Sequence, residues 1–241
     1  MEGSKRALFV ELSVLGIIGY VLFFISTNVN PTLGSIYTLP LVLAIGLALT
    51  DYFFGSKTIS LVSRNLSWTK AFIWGICGYF AVIAFSQVAT MLSTFVPLTE
   101  LLGLLSSSAP VFSNSPILNF LTFGVLVAYI ETYAFFVISL DVLASLVKVK
   151  INKEELFNPK MWLILFGLSF LFLLYHVTAK GIANESVLIL VFFMAFVSLI
   201  TLVWTKDARP AIIMHILANS IASTSLLAVV PSLVSISLPL V

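Results

Sequence analysis

Four polar side chains in the long apolar runs of this sequence stand apart from the run ends: Glu131, His176, His215 and Asn219. A charged carboxylate at the centre of a bilayer costs at least ~2–3 kcal/mol, so residues of this kind are functional candidates by default. The chain has only 2 histidines, and both lie in such runs, although a membrane core has no need of histidine. A carboxylate and an imidazole on adjacent helices can hold and deprotonate a water. Glu131 would then be the general base, with His176 orienting the water or shuttling its proton. His215 and Asn219 are spaced i, i+4 and share a helix face, so together they can offer two donors to a developing oxyanion. The chemistry these parts describe is hydrolysis of an amide inside a membrane cavity. Two histidines and a glutamate could instead hold zinc, but the H-E-x-x-H signature is absent and the histidines sit on different runs. The competing structural reading is that each histidine is a hydrogen-bonded packing residue. A mid-membrane glutamate beside two of them weakens that reading.

Such residues need elements to position them, and composition says what those are. The 241-residue chain is 60% hydrophobic and 9% charged, with a mean hydropathy of +1.15. Soluble domains carry about 25% charged residues. A water-soluble surface could not be built from this composition, which excludes a soluble enzyme and equally a disordered chain. The net charge of +2 includes no basic block for nucleic acid, and Cys77 is the single cysteine, so no disulfide framework exists within the chain. No cofactor is called for.

Crossing the hydrocarbon takes roughly 20 apolar residues per helix. Seven runs qualify, at about 7–26, 35–54, 68–95, 117–147, 161–179, 186–205 and 210–230. The segment 96–116 reads as interfacial or re-entrant, and 231–241 as a fold-back or an eighth, kinked span. The expected fold is an all-α, polytopic transmembrane bundle of seven to eight spans, one membrane-embedded domain over residues 1–241. With the N-terminus inside, eleven of the 12 basic residues fall on the cytoplasmic side and Lys180 alone on the other, so a cytoplasmic N-terminus is expected. The chain is then an integral, multi-pass protein of the cell membrane, or of the endoplasmic reticulum in a eukaryote.

Depth sorts the polar groups. Glu11, Asp51, Lys70, Asp141 and Arg209 lie near ends of the runs, where water or headgroups are in reach. Glu131 lies sixteen residues before Val147 and His176 seventeen after Pro159. At ~1.5 Å per residue both are roughly 25 Å from the turn at 148–158, so the antiparallel fourth and fifth spans can bring them to one level. His215 is only six residues past Arg209, about 9 Å into its helix. It can join the pair only where the turn at 206–210 dips into a protein-lined recess.

This pattern resembles the CAAX protease and bacteriocin-processing family of intramembrane endopeptidases, the type II CAAX prenyl endopeptidases. The family's marks are Glu-Glu-x-x-x-Arg on one helix, Phe-x-x-x-His on the next and His-x-x-x-Asn on a later one. Here stand Glu131-Thr132-Tyr133-Ala134-Phe135-Phe136, Phe172-Leu173-Leu174-Tyr175-His176 and His215-Ile216-Leu217-Ala218-Asn219, the last led by Arg209-Pro210-Ala211-Ile212. The resemblance covers about residues 117–223. It implies a metal-independent glutamate protease with Glu131 as base, His176 as its partner on the water, and His215 and Asn219 as oxyanion stabilisers. It also implies a site open to the cytoplasmic leaflet, and a membrane-associated or lipidated peptide as substrate. The family's second Glu is Thr132 here and its Arg is Phe136. Losing a carboxylate and a cation together keeps the buried charge balanced, and Tyr129 or Tyr133 could orient the base in their place.

Two other functions fit the same residues. One is a non-catalytic relative acting as an immunity, chaperone or assembly factor. The other is a transporter using Glu131 as a proton or cation site. Membrane lipids are the expected surroundings in every case, and nucleic acid in none.

Overall fold

A computed structural model of the chain describes residues 65–93, 120–180 and 185–223. The expected spans at 7–26 and 35–54, the segment 96–116, the tail 231–241 and the N-terminal orientation lie outside the described residues. Within them the fold is helical, with no strand. Helix α1 covers Trp68–Ser93. Helix α2 runs through four consecutive pieces, Phe120–Val127, Ala128–Glu131, Thr132–Ile138 and Ser139–Leu146. Helices α3 (Pro159–Lys180), α4 (Glu185–Thr205) and α5 (Ala208–Ser223) follow.

Four of these are long and apolar enough to cross a membrane: Trp68–Val88, Gly124–Leu146, Pro159–Thr178 and Val187–Thr205. They match four of the seven runs read from the sequence, and α5 begins the run expected at 210–230. Such helices are the signature of a membrane protein.

Helix starts follow local chemistry. Ser67 caps α1, its hydroxyl accepting the Lys70 N–H at 3.3 Å. Asn158 caps α3 by accepting the Lys160 N–H at 3.0 Å, and Pro159, which has no N–H to lose, takes the first helical position. Asp207 does the same for α5, accepting the Arg209 N–H at 3.0 Å.

In lipid the hydrophobic effect does not drive helices together, so close approach and packing must. The inner face of α1 is a stripe of Ala71, Gly75, Gly78, Val82 and Ser86, while Trp68, Phe72, Ile73 and Phe80 point outward. A Cβ on Gly75 would lie 2.7 Å from Ile213 Cβ and 3.1 Å from the Pro210 carbonyl oxygen. Small residues thus let α5 settle against α1. On its other sides α5 meets α2 and α4, so it is enclosed by three helices. Gly124 of α2 allows the same intimacy, since a Cβ there would be 2.8 Å from Ser220 Oγ.

Among the described spans helix α2 is the most enclosed, with 72% of its membrane window buried. Two of its pieces, Phe120–Val127 and Thr132–Ile138, are π-helical, and between them lies the single α-helical turn that ends at Glu131. Ser139 shows the widened spacing, donating to the Ala134 carbonyl five residues back at 2.6 Å. Bulges of this kind concentrate at functional sites.

Candidate functional site

Glu131 and His215 are both completely buried, and they face each other across the α2–α5 contact. Glu131 Oε2 and His215 Nε2 are 3.4 Å apart. That exceeds the 2.7–2.9 Å typical of a charge-assisted hydrogen bond, yet is close enough for strong electrostatic coupling in a dry interior. The other carboxylate oxygen, Oε1, accepts a hydrogen bond from Tyr175 Oη at 3.1 Å. Tyr175 comes from α3, so three helices contribute to one carboxylate's surroundings. The expectation assigned an orienting bond to Tyr129 or Tyr133. Tyr175 makes a bond of this kind, and Tyr129 and Tyr133 stack on each other with centroids 4.8 Å apart.

The far side of the His215 ring meets Thr132, whose Oγ1 is 3.0 Å from Nδ1. The same hydroxyl donates to the Ala128 carbonyl at 2.7 Å, the usual backward bond of a helical threonine. Phe136, which stands where the resembling family has Arg, is fully buried. Its ring lies 5.0 Å from that of Phe172 and 6.1 Å from that of His215. Thr132 and Phe136 thus give His215 a hydroxyl partner and a ring that packs beside it.

His176 is buried one residue along from Tyr175. Its Nδ1 is 2.9 Å from the Phe172 carbonyl oxygen, which can only accept, so Nδ1 carries a hydrogen. Phe172 lies between the two histidines, its centroid 4.4 Å from His176 and 5.6 Å from His215. His176 thus belongs to the same aromatic cluster as the Glu131 pair, reached through Tyr175 and Phe172. Asn219 is half-buried one turn beyond His215 on α5.

At the α4–α5 turn a buried carboxylate is held by the entry of α1. Asp207 is 1% exposed, its Oδ2 accepting from the Leu66 N–H at 3.1 Å and pairing with Arg209 Nη2 at 2.6 Å. Arg209 also donates to the Leu66 carbonyl and lies over the Trp68 ring, 4.7 Å from its centroid. Asn65 donates to the Lys206 carbonyl at 3.0 Å, and Lys206 takes a left-handed backbone with φ 52°. These contacts tie the entry of α1 to the start of α5 and so help set where His215 sits. Burial opposes ionisation of Asp207, but hydrogen bonds from the Arg209 side chain and backbone and from Leu66 outweigh it, holding the carboxyl below its ordinary range. Arg209 is therefore engaged with protein as well as near the helix end. Asp141, expected to reach water from a helix end, is instead buried.

Sequence reasoning missed three residues: Tyr175, Thr132 as a partner of His215, and Asp207. Tyr175 and Thr132 stood inside the quoted motifs as a spacer and a departure. Asp207 sits beside Arg209 in the turn whose burial was required, which was the available signal.

Among the described residues no three His, Cys, Asp or Glu side chains gather as a metal site. The fold and site define a helical membrane protein with a buried glutamate and histidine 3.4 Å apart. Neither a family model, nor a curated protein, nor a solved structure matches the chain.

Proposed function

We propose that the protein is an intramembrane endopeptidase that cleaves a membrane-associated or lipidated peptide with a water activated by Glu131. The observation that carries this reading is the Glu131–His215 approach of 3.4 Å with both groups fully buried. A carboxylate in such a place is expensive unless paired, and a pair that can pass a proton is what general acid–base catalysis uses.

The chemistry balances on the pair. With a shared proton on His215, Glu131 is a carboxylate and takes a proton from water as the water oxygen bonds to the scissile carbonyl carbon. Glu131 then delivers that proton to the amide nitrogen as the C–N bond breaks. The second water hydrogen stays on the new carboxyl group, and the pair returns to one shared proton. Tyr175 holds Oε1, His176 keeps its place as the partner on the water, and Asn219 its place at the oxyanion. The three motifs in family order support the same reading.

A second reading, a non-catalytic member of the same family, is favoured by Thr132 and Phe136 standing in place of the family's Glu and Arg. A comparison of peptide termini separates the two. Membranes from cells producing the wild type or Glu131→Gln are analysed by mass spectrometry for newly formed C-termini. Termini present only with the wild type are expected. Identical sets in both would contradict the endopeptidase reading.

A further inference from the structure

The Thr132 hydroxyl has one proton, and that proton lies on the 2.7 Å bond to the Ala128 carbonyl. Its oxygen, 3.0 Å from His215 Nδ1, can therefore only accept there. So Nδ1 must carry hydrogen, and the opposite nitrogen, Nε2, is the one that exchanges a proton with Glu131 Oε2 at 3.4 Å. We propose that Thr132 is a positioning residue that locks the His215 ring in its Nδ1–H state, which makes His215 the proton partner of Glu131 instead of an oxyanion donor beside Asn219.

Charge accounting shows why the lock matters. With Nδ1–H in place, one further proton between Nε2 and Oε2 leaves the buried couple neutral. It is then either a carboxylic acid facing an imidazole or a carboxylate facing an imidazolium. If Nδ1 were bare, the ring hydrogen would sit on Nε2; a neutral couple would then hold its second proton on Glu131, and Nε2 would have no lone pair to accept it. A threonine at position 132 thus does without a second carboxylate. It supplies an acceptor that orients the ring and adds no charge. The consequence for rate rests on the hydrolytic reading; the protonation state of the ring does not.

The test uses the full chain in lipid nanodiscs with 15N-labelled histidine. Only 2 histidine rings are present, so solid-state NMR resolves both, and His176→Gln assigns them. In the wild type and Thr132→Ser, His215 Nδ1 is expected to be protonated. In Thr132→Val, Nδ1 is expected to lose its proton and Nε2 to hold one. The His176 ring, bonded to the Phe172 carbonyl, should stay unchanged and reports an intact fold in each variant. For a peptide that the wild type cleaves, Thr132→Val is expected to lower kcat about tenfold with KM unchanged, the worth of one hydrogen bond, and Thr132→Ser to restore it. A bare Nδ1 in the wild type, or an Nδ1–H that survives in Thr132→Val, overturns the lock. The expected ring states with an unchanged kcat in Thr132→Val overturn the positioning role. The expected ring states with no cleavage by any variant support the lock and tell against the endopeptidase.

Discussion

Tyr175 Oη donates a 3.1 Å hydrogen bond to Glu131 Oε1, joining α3 to α2 inside the bundle. The ring is held independently of that bond by Phe135, whose centroid is 4.8 Å away. Tyr175→Phe therefore removes a donor while keeping the packing. A hydrogen bond to a charged group contributes about 1.5–3 kcal/mol, so a loss of stability within that range is expected, together with a drop in peptide cleavage of about tenfold or more. Unfolding in mixed detergent and steady-state cleavage check the two halves. A Tyr175→Phe protein equal to the wild type in both would remove Tyr175 from the site.

The close approach of α1 and α5 makes a different prediction. At Gly75 an added Cβ meets Ile213 Cβ and the Pro210 backbone, neither of which can swing aside. Gly75→Ala should destabilise the protein by about 1–3 kcal/mol, the usual cost of overpacking. Gly167 on α3 has nothing within 4 Å of its would-be Cβ, so Gly167→Ala should be neutral or slightly stabilising. Paired unfolding measurements decide it, and equal effects at the two positions would contradict the packing described.

The tie between Asp207 and Arg209 should be visible as pH-dependent stability. The Asp207 carboxyl is held below its ordinary range in the folded protein. Its contribution is then fully present above the unfolded value and is lost as pH falls through the lower folded value. Asp207→Asn keeps a capping oxygen but removes the charge that pairs with Arg209. The variant should be less stable at neutral pH by on the order of 2 kcal/mol. That gap should narrow as pH falls below the ordinary Asp value of about 3.9. A gap that is constant with pH would show that the charge is not what stabilises the turn.

Much of the site could be read from the residues, for a physical reason. Glu131 and His215 stand out because ionisable groups are costly in apolar runs, and both prove to be fully buried. Which of them would meet was harder. Adjacency along the chain set Glu131 level with His176 across the turn at 148–158, but gave no sign of the 3.4 Å approach to His215 on α5, 84 positions away in sequence. Helix neighbours are chosen by surface shape, here the Gly75 and Gly124 contacts, and a hydropathy pattern does not carry that information. Thr132 and Tyr175 were illegible for another reason. Hydroxyls are cheap in helices, where they bond to the preceding turn or sit near interfaces, so their presence carries no signal of depth. The extents of α1 to α4 followed their apolar runs closely, because length and hydropathy alone set a span.

The role of Glu131 as the base is tested most directly with purified protein and a peptide identified from the membrane comparison. Cleavage is followed in 18O-enriched water with the wild type and Glu131→Gln. Hydrolysis by an activated water should place one 18O in the new carboxyl group. Glu131→Gln should lower kcat by about 10²- to 10⁴-fold, the usual contribution of a general base. Cleavage by Glu131→Gln at the wild-type rate would contradict the account.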